Sequence, residues 1–162
     1  MRSTVKRILL KSVFEAFDYV MDHYAPYGME DMVQRDDTYA VISIQDAQSD
    51  GFGFEFTESR YCREVLTLRF DDVESDVPGS VPFSGEMAEE MIRFILRNRE
   101  ADTLLIHCYA GQSRSRAAAA FAVRMFGKDD SAYFQGGRPN RLVYETLEKI
   151  WAEMQGRSAG ER

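Results

Sequence analysis

The feature that most constrains the fold is a stretch in which an apolar strand passes through a short loop directly into a helix. Residues 103–108 read TLLIHC, an apolar run typical of a buried strand. The next four residues are mostly small or polar, and the alanine-rich segment 113–127 predicts a helix that ends at Gly127. The chain therefore places a cysteine, Cys108, where a buried strand gives way to the N-terminus of a helix.

The rest of the chain repeats this alternation of strands and helices. Strands are predicted at 5–10, 38–44, 64–70 and 103–108. Helices are predicted at 12–24, 84–98, 113–127 and 140–154. The alternation predicts an α/β fold: a single domain with a mostly parallel sheet of four to five strands, flanked by helices on both faces. We place the domain at residues 1–154 and expect a flexible tail at 155–162, where Gly, Ser and charged residues offer nothing to bury.

Composition argues against several classes of function. The 162 residues carry a formal net charge of −7, so the chain lacks the basic excess with which proteins bind nucleic acids or anionic membranes. No apolar run approaches the roughly 20 residues that span a bilayer. The two cysteines give no disulfide framework, and a reducing, cytoplasmic setting fits them best. The two histidines stand apart from any cluster of ligands, so we expect no metal and no other cofactor.

The loop after Cys108 has the composition of an anion-binding cradle. The first turn of a helix has four N–H groups without intrahelical partners, and Gly111 allows the backbone to come close to a ligand or to adopt a positive φ. The positive potential there favours a thiolate, so we expect Cys108 to be a nucleophile; a buried, inert thiol is the alternative. The guanidinium of Arg114 could grip two phosphate oxygens, whereas Arg116 is expected to point away and serve the surface.

Residues 107–115, HCYAGQSRS, resemble the His-Cys-x-x-Gly-x-x-Arg-Ser/Thr phosphate-binding loop of the cysteine-dependent protein tyrosine phosphatases. The Ala-Gly-x-Ser-Arg-Ser part of the loop is most similar to the compact dual-specificity branch of that superfamily. A second segment, RPNRLVYETL at 138–147, is similar to the Pro-Asn-x-x-Phe-x-x-Leu sequence that opens the last helix of this branch, with Val143 or Tyr144 near the aromatic position.

The resemblance implies a phosphatase fold and mechanism, with roles for particular residues. Cys108 would attack phosphorus to form a phosphocysteine, while Arg114 binds the equatorial oxygens. Ser115 would donate to the thiolate and ease its departure, His107 would orient the loop, and Asn140 would support it from behind. The phosphate would also be bound by the loop amides, those of Tyr109, Ala110, Gly111, Gln112, Ser113 and Arg114.

The mechanism also needs a general acid, and two adjacent aspartates are candidates. Asp71 and Asp72 stand where the predicted strand 64–70 gives way to a loop with Pro and Gly, which resembles the Phe-x-Asp acid loop of the family. That alignment makes Asp72 the acid and Asp71 the second choice, with Asp76 a weaker third. Paired aspartates at the start of such a loop also serve as solvated turn or capping residues, and this alternative stays open.

The resemblance implies a phosphorylated protein or a small phosphomonoester as substrate. The variable loop positions Tyr109, Ala110 and Gln112 are not basic, which favours a phosphotyrosine-type monoester over a highly phosphorylated inositol. Two alternatives remain. One is a rhodanese-like sulfur transferase, which also uses a loop cysteine at a helix N-terminus, and the other is a phosphate-binding module without activity. The sequence carries no signal for the oligomeric state.

Cys62 and the aromatic residues at 52–56 each have two possible roles. Cys62 is either a plain, partly buried thiol or a residue that forms a disulfide with Cys108. The aromatic residues at 52–56 are expected to pack into the core rather than to line a substrate cleft.

Overall fold

The sheet consists of four parallel strands. The structure is a computed structural model in which residues 4–160 are described. Its strands are β1 (Arg7–Ser12), β2 (Tyr39–Gln45), β3 (Cys62–Arg69) and β4 (Thr103–Cys108), in the spatial order β1-β4-β2-β3. The three pairings in the described part of the chain are all parallel, which confirms the predicted α/β domain.

The central strand β4 is buried on both faces. Leu104 and Ile106 lie in the core on one face of the sheet, and Leu105 lies in the core on the other. Leu105 pairs with Leu9 of β1 on one side and with Val41 of β2 on the other. Because such a strand has neither a free edge nor a face in contact with solvent, it takes an uninterrupted apolar run rather than an alternating one.

Five α-helices lie within residues 4–160. They are α1 (Val13–Tyr24), α2 (Gly85–Arg97), α3 (Arg114–Met125), α4 (Ser131–Gln135) and α5 (Arg141–Gly160). The core on one face of the sheet contains side chains of α2, α3 and α5, and the core on the other face contains side chains of α1. None of these helices is both long and apolar enough to cross a membrane.

Side-chain caps set the start of two helices where the sequence predicts them. The Ser12 hydroxyl accepts a hydrogen bond from the Glu15 N–H at 3.2 Å, and the Glu15 carboxylate accepts one from the Ser12 N–H at 3.0 Å, which is a capping box. Ser84 caps α2 by accepting a hydrogen bond from the Met87 N–H at 3.2 Å. The first residues of these two helices are therefore determined by their own capping side chains.

The last helix extends into the segment predicted to be a tail. α5 continues to Gly160, so 155–160 are helical, and 161–162 lie outside the described residues; the flexibility of this segment stays a prediction. An ion pair anchors this end of the helix, because Arg157 Nη2 donates to Glu89 Oε1 of α2 at 2.7 Å. The prediction weighed only the lack of apolar residues and took no account of a partner on another helix.

The helix that follows the cysteine packs tightly because five of its nine buried residues are alanines. Residues 117–120 and Ala122 are fully buried, and α3 contacts β1, β4 and α5. A side chain of one carbon lets the backbone of α3 approach both the sheet and α5. The N-terminus of α3 is thereby held at a fixed place beside the end of β4.

We expect Ala119→Leu to lower the free energy of unfolding by about 1–3 kcal/mol, because three extra carbons must fit into a space filled by the sheet and the neighbouring helices. The measurement is chemical denaturation followed by circular dichroism. Ala152→Leu, on the exposed side of α5, is the matched control, with an expected change of less than about 0.5 kcal/mol. Equal effects of the two substitutions would contradict the close packing of α3.

Candidate active site

The parallel sheet brings three chain segments together at one edge. β4 ends at Cys108, β2 is followed by Asp46, and β3 is followed by residues 70–72. Strands that run in the same direction end at the same edge, so residues distant in sequence meet there. Ligand sites in open α/β sheets form at this carboxyl edge.

The sulfur of Cys108 lies inside the loop with two groups directed at it. Its Sγ is 3.0 Å from the hydroxyl oxygen of Ser115, and the backbone N–H of Gly111 donates to it at 3.3 Å. The Cys108 side chain is buried. Both groups can donate a hydrogen bond to the sulfur.

Gly111 is required at its position for two independent reasons. Its φ is +72°, in the left-handed region that side chains disfavour. A Cβ there would also stand 2.8 Å from the carbonyl carbon and oxygen of Lys11, because the loop packs directly against the end of β1. A further hydrogen bond, from the Val13 N–H to the Tyr109 carbonyl at 3.1 Å, fastens the loop to the start of α1.

Arg114 reaches from the first turn of α3 towards the ends of β2 and β3. Its Nη1 donates to the carbonyl of Phe70 at 2.7 Å and lies 2.8 Å from Oδ1 of Asp46. Its Nε is buried and has no hydrogen-bond partner among residues 4–160. Buried N–H groups almost always have a partner, so this one is a candidate donor to an anion.

His107 acts through the backbone of the cysteine. Its Nδ1 lies 3.1 Å from the Cys108 carbonyl, and its Nε2 lies 2.7 Å from the Ser43 hydroxyl. Burial lowers the pKa of His107, so the imidazole is neutral at neutral pH. The carbonyl can only accept, so Nδ1 carries the proton and Nε2 accepts from Ser43. Sequence reasoning placed His107 near the loop but missed Ser43, which is an unremarkable residue of β2.

The two adjacent aspartates have different surroundings. Oδ1 of Asp72 accepts hydrogen bonds from the Ser113 hydroxyl at 2.7 Å and from Asn140 Nδ2 at 2.8 Å, which places this exposed carboxylate beside the loop. Asp71 instead accepts from the backbone N–H groups of Val81 at 2.8 Å and Ala47 at 3.1 Å. Those backbone hydrogen bonds lower the pKa of Asp71. Asp71 therefore fastens neighbouring loops to each other.

Asn140 joins the loop that carries Asp72 to the loop of residues 109–113, which we call the phosphate loop after the proposed function. Its backbone N–H donates to the Ser113 carbonyl at 3.0 Å, and its Nδ2 donates both to Asp72 and to the Val73 carbonyl, the latter at 3.2 Å. Its Oδ1 accepts from the Val143 N–H at 3.0 Å at the start of α5. The predicted support of the phosphate loop thus extends to the loop that carries Asp72.

Aromatic rings border the loop on the side away from Asp72. The side chains of Tyr109 and Phe14 are 58% and 56% exposed and meet edge to face with ring centroids 6.3 Å apart. The ring of Phe52 lies 6.4 Å from that of Tyr109 and 6.2 Å from that of His107. The aromatic residues at 52–56 are half-buried and border the site as well as packing against the sheet. The sequence pattern predicts only the packing. We call Phe14, Phe52 and Tyr109 the aromatic rim.

Cys62 lies at the opposite end of the sheet from Cys108. It opens β3 opposite Tyr39, and Tyr39 lies opposite Thr103, the first residue of β4. At about 3.3 Å per residue, five residues of strand separate Thr103 from Cys108 by about 16 Å, far beyond the reach of a disulfide. Burial raises the pKa of Cys62 to about 11, so this thiol is inert at neutral pH.

Arg116 differs from its predicted surface role. Its Nη1 donates to the Tyr133 carbonyl at 3.4 Å, and its Nε is buried against Gly137, where a Cβ would stand only 2.5 Å away. Arg116 thus packs beneath the segment that precedes Asn140. Its position was not predictable because two consecutive glycines make room for it.

No group of three or more His, Cys, Asp or Glu side chains within residues 4–160 is arranged to hold a metal ion. The polar groups around Cys108 are donors and single carboxylates, which suit an anion rather than a cation.

Three solved structures show what the fold is similar to. Human DUSP28 matches with a TM-score of 0.55 and 17% sequence identity, over 93% of this chain and 94% of that chain. DUSP15 matches with a TM-score of 0.52 and 22% identity, over 100% and 96%. The human tyrosine phosphatase-like serine/threonine/tyrosine-interacting protein matches with a TM-score of 0.51 and 18% identity, over 82% and 89%. No protein-family model and no curated protein sequence matches the chain.

The chain has the dual-specificity phosphatase fold. At these identities the similarity is one of fold, so the chemistry has to be argued from the residues of this chain. Within its phosphatase-like fold, the segment from Cys108 to Ser115 carries a sulfur in contact with Ser115 and an arginine whose Nε has no partner among residues 4–160, and Asp72 contacts Ser113 of that segment.

We expect Gly111→Ala to destabilise the protein more than Gly79→Ala does. Both glycines have a similar positive φ, +72° and +82°, but a Cβ at Gly79 would meet nothing within 4 Å. The control therefore carries only the backbone strain, about 1–2 kcal/mol, and the difference reports the contact with Lys11. Chemical denaturation of the two variants measures it. Equal losses would show that the loop is not pressed against β1.

Proposed function

We propose that the protein hydrolyses phosphomonoesters through a phosphocysteine on Cys108, with phosphotyrosine in a protein as the preferred substrate and a small phosphomonoester as the other option. The proposal rests on two groups of one loop, the sulfur of Cys108 and the Nε–H of Arg114. The sulfur lies between the Ser115 hydroxyl and the Gly111 N–H, and the buried Nε–H of Arg114, at the other end of the same loop, has no acceptor among residues 4–160. One atom is suited to attack phosphorus, and the other to hold an oxygen bound to it.

In the first step, the thiolate of Cys108 attacks phosphorus and the bond from phosphorus to the leaving oxygen breaks. Asp72 donates its proton to that oxygen, so an alcohol or phenol departs rather than an alkoxide or phenolate. Both hydrogen-bond donors of Asp72 contact Oδ1, which leaves Oδ2 to carry the proton. The product of this step is a phosphocysteine.

In the second step, Asp72, now a carboxylate, removes a proton from water, and the water oxygen attacks phosphorus. The bond between phosphorus and sulfur breaks, inorganic phosphate forms and the thiolate returns. Ser115 assists here because its hydroxyl, 3.0 Å from the sulfur, donates to the departing thiolate. Arg114 and the amides of residues 109–114 bind the equatorial oxygens in both steps.

The aromatic rim supports an aryl phosphate as substrate. The ring of a phosphotyrosine held by its phosphate would leave the loop beside exposed aromatic side chains, which can pack edge to face against it. A phosphoserine side chain is shorter and has no ring to pack there. The absence of basic residues at the three variable loop positions again favours a single phosphate over a polyphosphorylated ligand.

The fold supports a phosphatase over the sulfur transferase alternative, since the solved structures reported above include proteins of the dual-specificity type. It does not separate an active enzyme from a phosphate-binding module, because one of the three is named only as phosphatase-like. The presence of Cys108, Arg114 and Asp72 at one edge of the sheet favours the enzyme. The acidic chain with free thiols also suits a cytoplasmic protein acting on phosphoproteins.

We expect Cys108→Ser to abolish hydrolysis of p-nitrophenyl phosphate and phosphotyrosine peptides, because a hydroxyl is too weakly acidic to replace the thiolate. Asp72→Asn should lower kcat about 10²- to 10⁴-fold with the peptide, and less with p-nitrophenyl phosphate, whose leaving group needs little protonation. Asp76→Asn, at another exposed aspartate of the same loop, is the matched control and should retain most of the activity, and Asp71→Asn should lose less activity than Asp72→Asn. The measurement is steady-state release of phosphate.

Activity that survives Cys108→Ser would overturn the mechanism. A large loss with Asp71→Asn but not with Asp72→Asn would move the acid by one residue. Thiosulfate turnover by the wild type would favour the sulfur transferase. Vanadate binding without any turnover would favour the binding module.

We expect Tyr109→Ala to lower kcat/KM for a phosphotyrosine peptide more than for the same peptide with phosphoserine. Loss of one aromatic contact costs about 0.5–1.5 kcal/mol, which corresponds to about two- to tenfold in kcat/KM. Tyr27→Ala removes a more exposed ring at the far end of α1 and serves as the control. Equal losses with both peptides would assign Tyr109 to the loop backbone rather than to the choice of substrate.

A further inference from the structure

We propose that Asp46 is a positioning residue for Arg114: its carboxylate, together with the Phe70 carbonyl, holds Nη1 so that the Nε edge of the guanidinium faces the bound phosphate. This inference rests on the proposed function of the same site. Asp46 belongs to no motif in the sequence, and its role emerges only from the ends of β2 and β3.

The contact joins a buried cation to an exposed anion. The Arg114 side chain is 6% exposed and that of Asp46 is 62% exposed, and Asp46 Oδ1 lies 2.8 Å from Arg114 Nη1. A buried guanidinium without a counter-charge is unfavourable and tends to find another position. Asp46 supplies the counter-charge from the C-terminal end of β2, and the Phe70 carbonyl accepts a hydrogen bond from the same nitrogen.

Holding Nη1 determines where the rest of the guanidinium points, because the group is planar. The edge formed by Nε and Nη2 is the one that grips two oxygens of an anion side by side. Both contacts described above are on Nη1, at the other side of the plane, and Nε has no partner. Asp46 therefore orients the arginine and leaves the anion-binding edge open.

Asp46 is itself held in place. The next residue, Ala47, donates its backbone N–H to Oδ1 of Asp71 at 3.1 Å, so the second aspartate fixes the turn that carries Asp46. Asp71 also feels the charge of Arg114, which contributes to lowering its pKa. A chain of contacts thus runs from Asp71 through the turn after β2 to the arginine.

An opposite role is conceivable for a carboxylate so close to a phosphate site: Asp46 could compete with the substrate for Arg114. The two roles predict opposite signs. If Asp46 positions the arginine, its removal lowers kcat. If Asp46 competes, its removal raises activity or tightens anion binding. The contact with Nη1 rather than Nε favours positioning.

The experiment compares Asp46→Ala with Asp50→Ala, which removes another exposed aspartate from the same loop. With a phosphotyrosine peptide, Asp46→Ala should lower kcat about tenfold while KM changes less than about twofold, because the arginine is needed most in the transition state. The affinity for orthovanadate should fall by a similar factor. Asp50→Ala should match the wild type in each measurement.

Conservative variants separate charge from shape. Asp46→Asn keeps the size of the side chain but not its charge, and should lose nearly as much kcat as Asp46→Ala. Asp46→Glu keeps the charge and should recover part of the loss. A residue that merely filled space would tolerate Asn, so full activity of Asp46→Asn would overturn the proposal.

A double-mutant cycle tests whether Asp46 acts through the arginine. Lysine lacks the planar fork, so in an Arg114→Lys background the further change Asp46→Ala should alter vanadate affinity less than about twofold. Additive losses would overturn the proposal, as would an Asp46→Ala variant equal to or faster than Asp50→Ala. A wild type that neither hydrolyses the peptide nor binds vanadate would instead refute the proposed function itself.

Discussion

The buried guanidinium of Arg114 is the charge around which the carboxyl edge of the sheet is arranged. A cation in that position has to be compensated, and the compensation comes from Asp46 after β2 and from the Phe70 carbonyl after β3. Both acceptors are available only because β2 and β3 are parallel and end at the same edge as β4. The parallel topology thus makes it possible to bury the guanidinium of an arginine that lies in the same loop as the cysteine.

A set of hydrogen bonds holds Asp72, the proposed acid, in the same way. Asp72 is an exposed residue of a loop, yet Ser113 and Asn140 hold it next to the phosphate loop, and Asn140 also begins α5. The two aspartates therefore divide the work. Asp71 fastens loops through backbone N–H groups, and Asp72 keeps one oxygen available at the site. The chain turns at Asp72, where the Val73 N–H donates to the Asp71 carbonyl at 2.9 Å, and the two adjacent side chains therefore reach different partners.

The order of strands and helices was predictable because it depends on local patterns. The apolar run of β4, the capping serines of α1 and α2, and the small loop before α3 each specify their own element. The places of Cys108 at the end of β4 and of Arg114 at the start of α3 were predictable for the same reason, since one loop carries both. Asp46, Ser43 and the end of α5 were not, because each depends on a partner more than 60 residues away. Only the three-dimensional arrangement shows such pairs.

The two sides of the phosphate loop differ in polarity, and this difference would affect the orientation of a substrate. The side of Asp72, Ser113 and Asn140 offers a proton and polar contacts, whereas the aromatic rim offers apolar surface. In the in-line displacement proposed above, the leaving oxygen would lie opposite the sulfur and within reach of Asp72. A planar leaving group would meet both requirements, because the edge of its ring would pack on the aromatic rim while its oxygen faced Asp72. The proposed mechanism and the shape of the site together therefore favour an aryl phosphate as substrate.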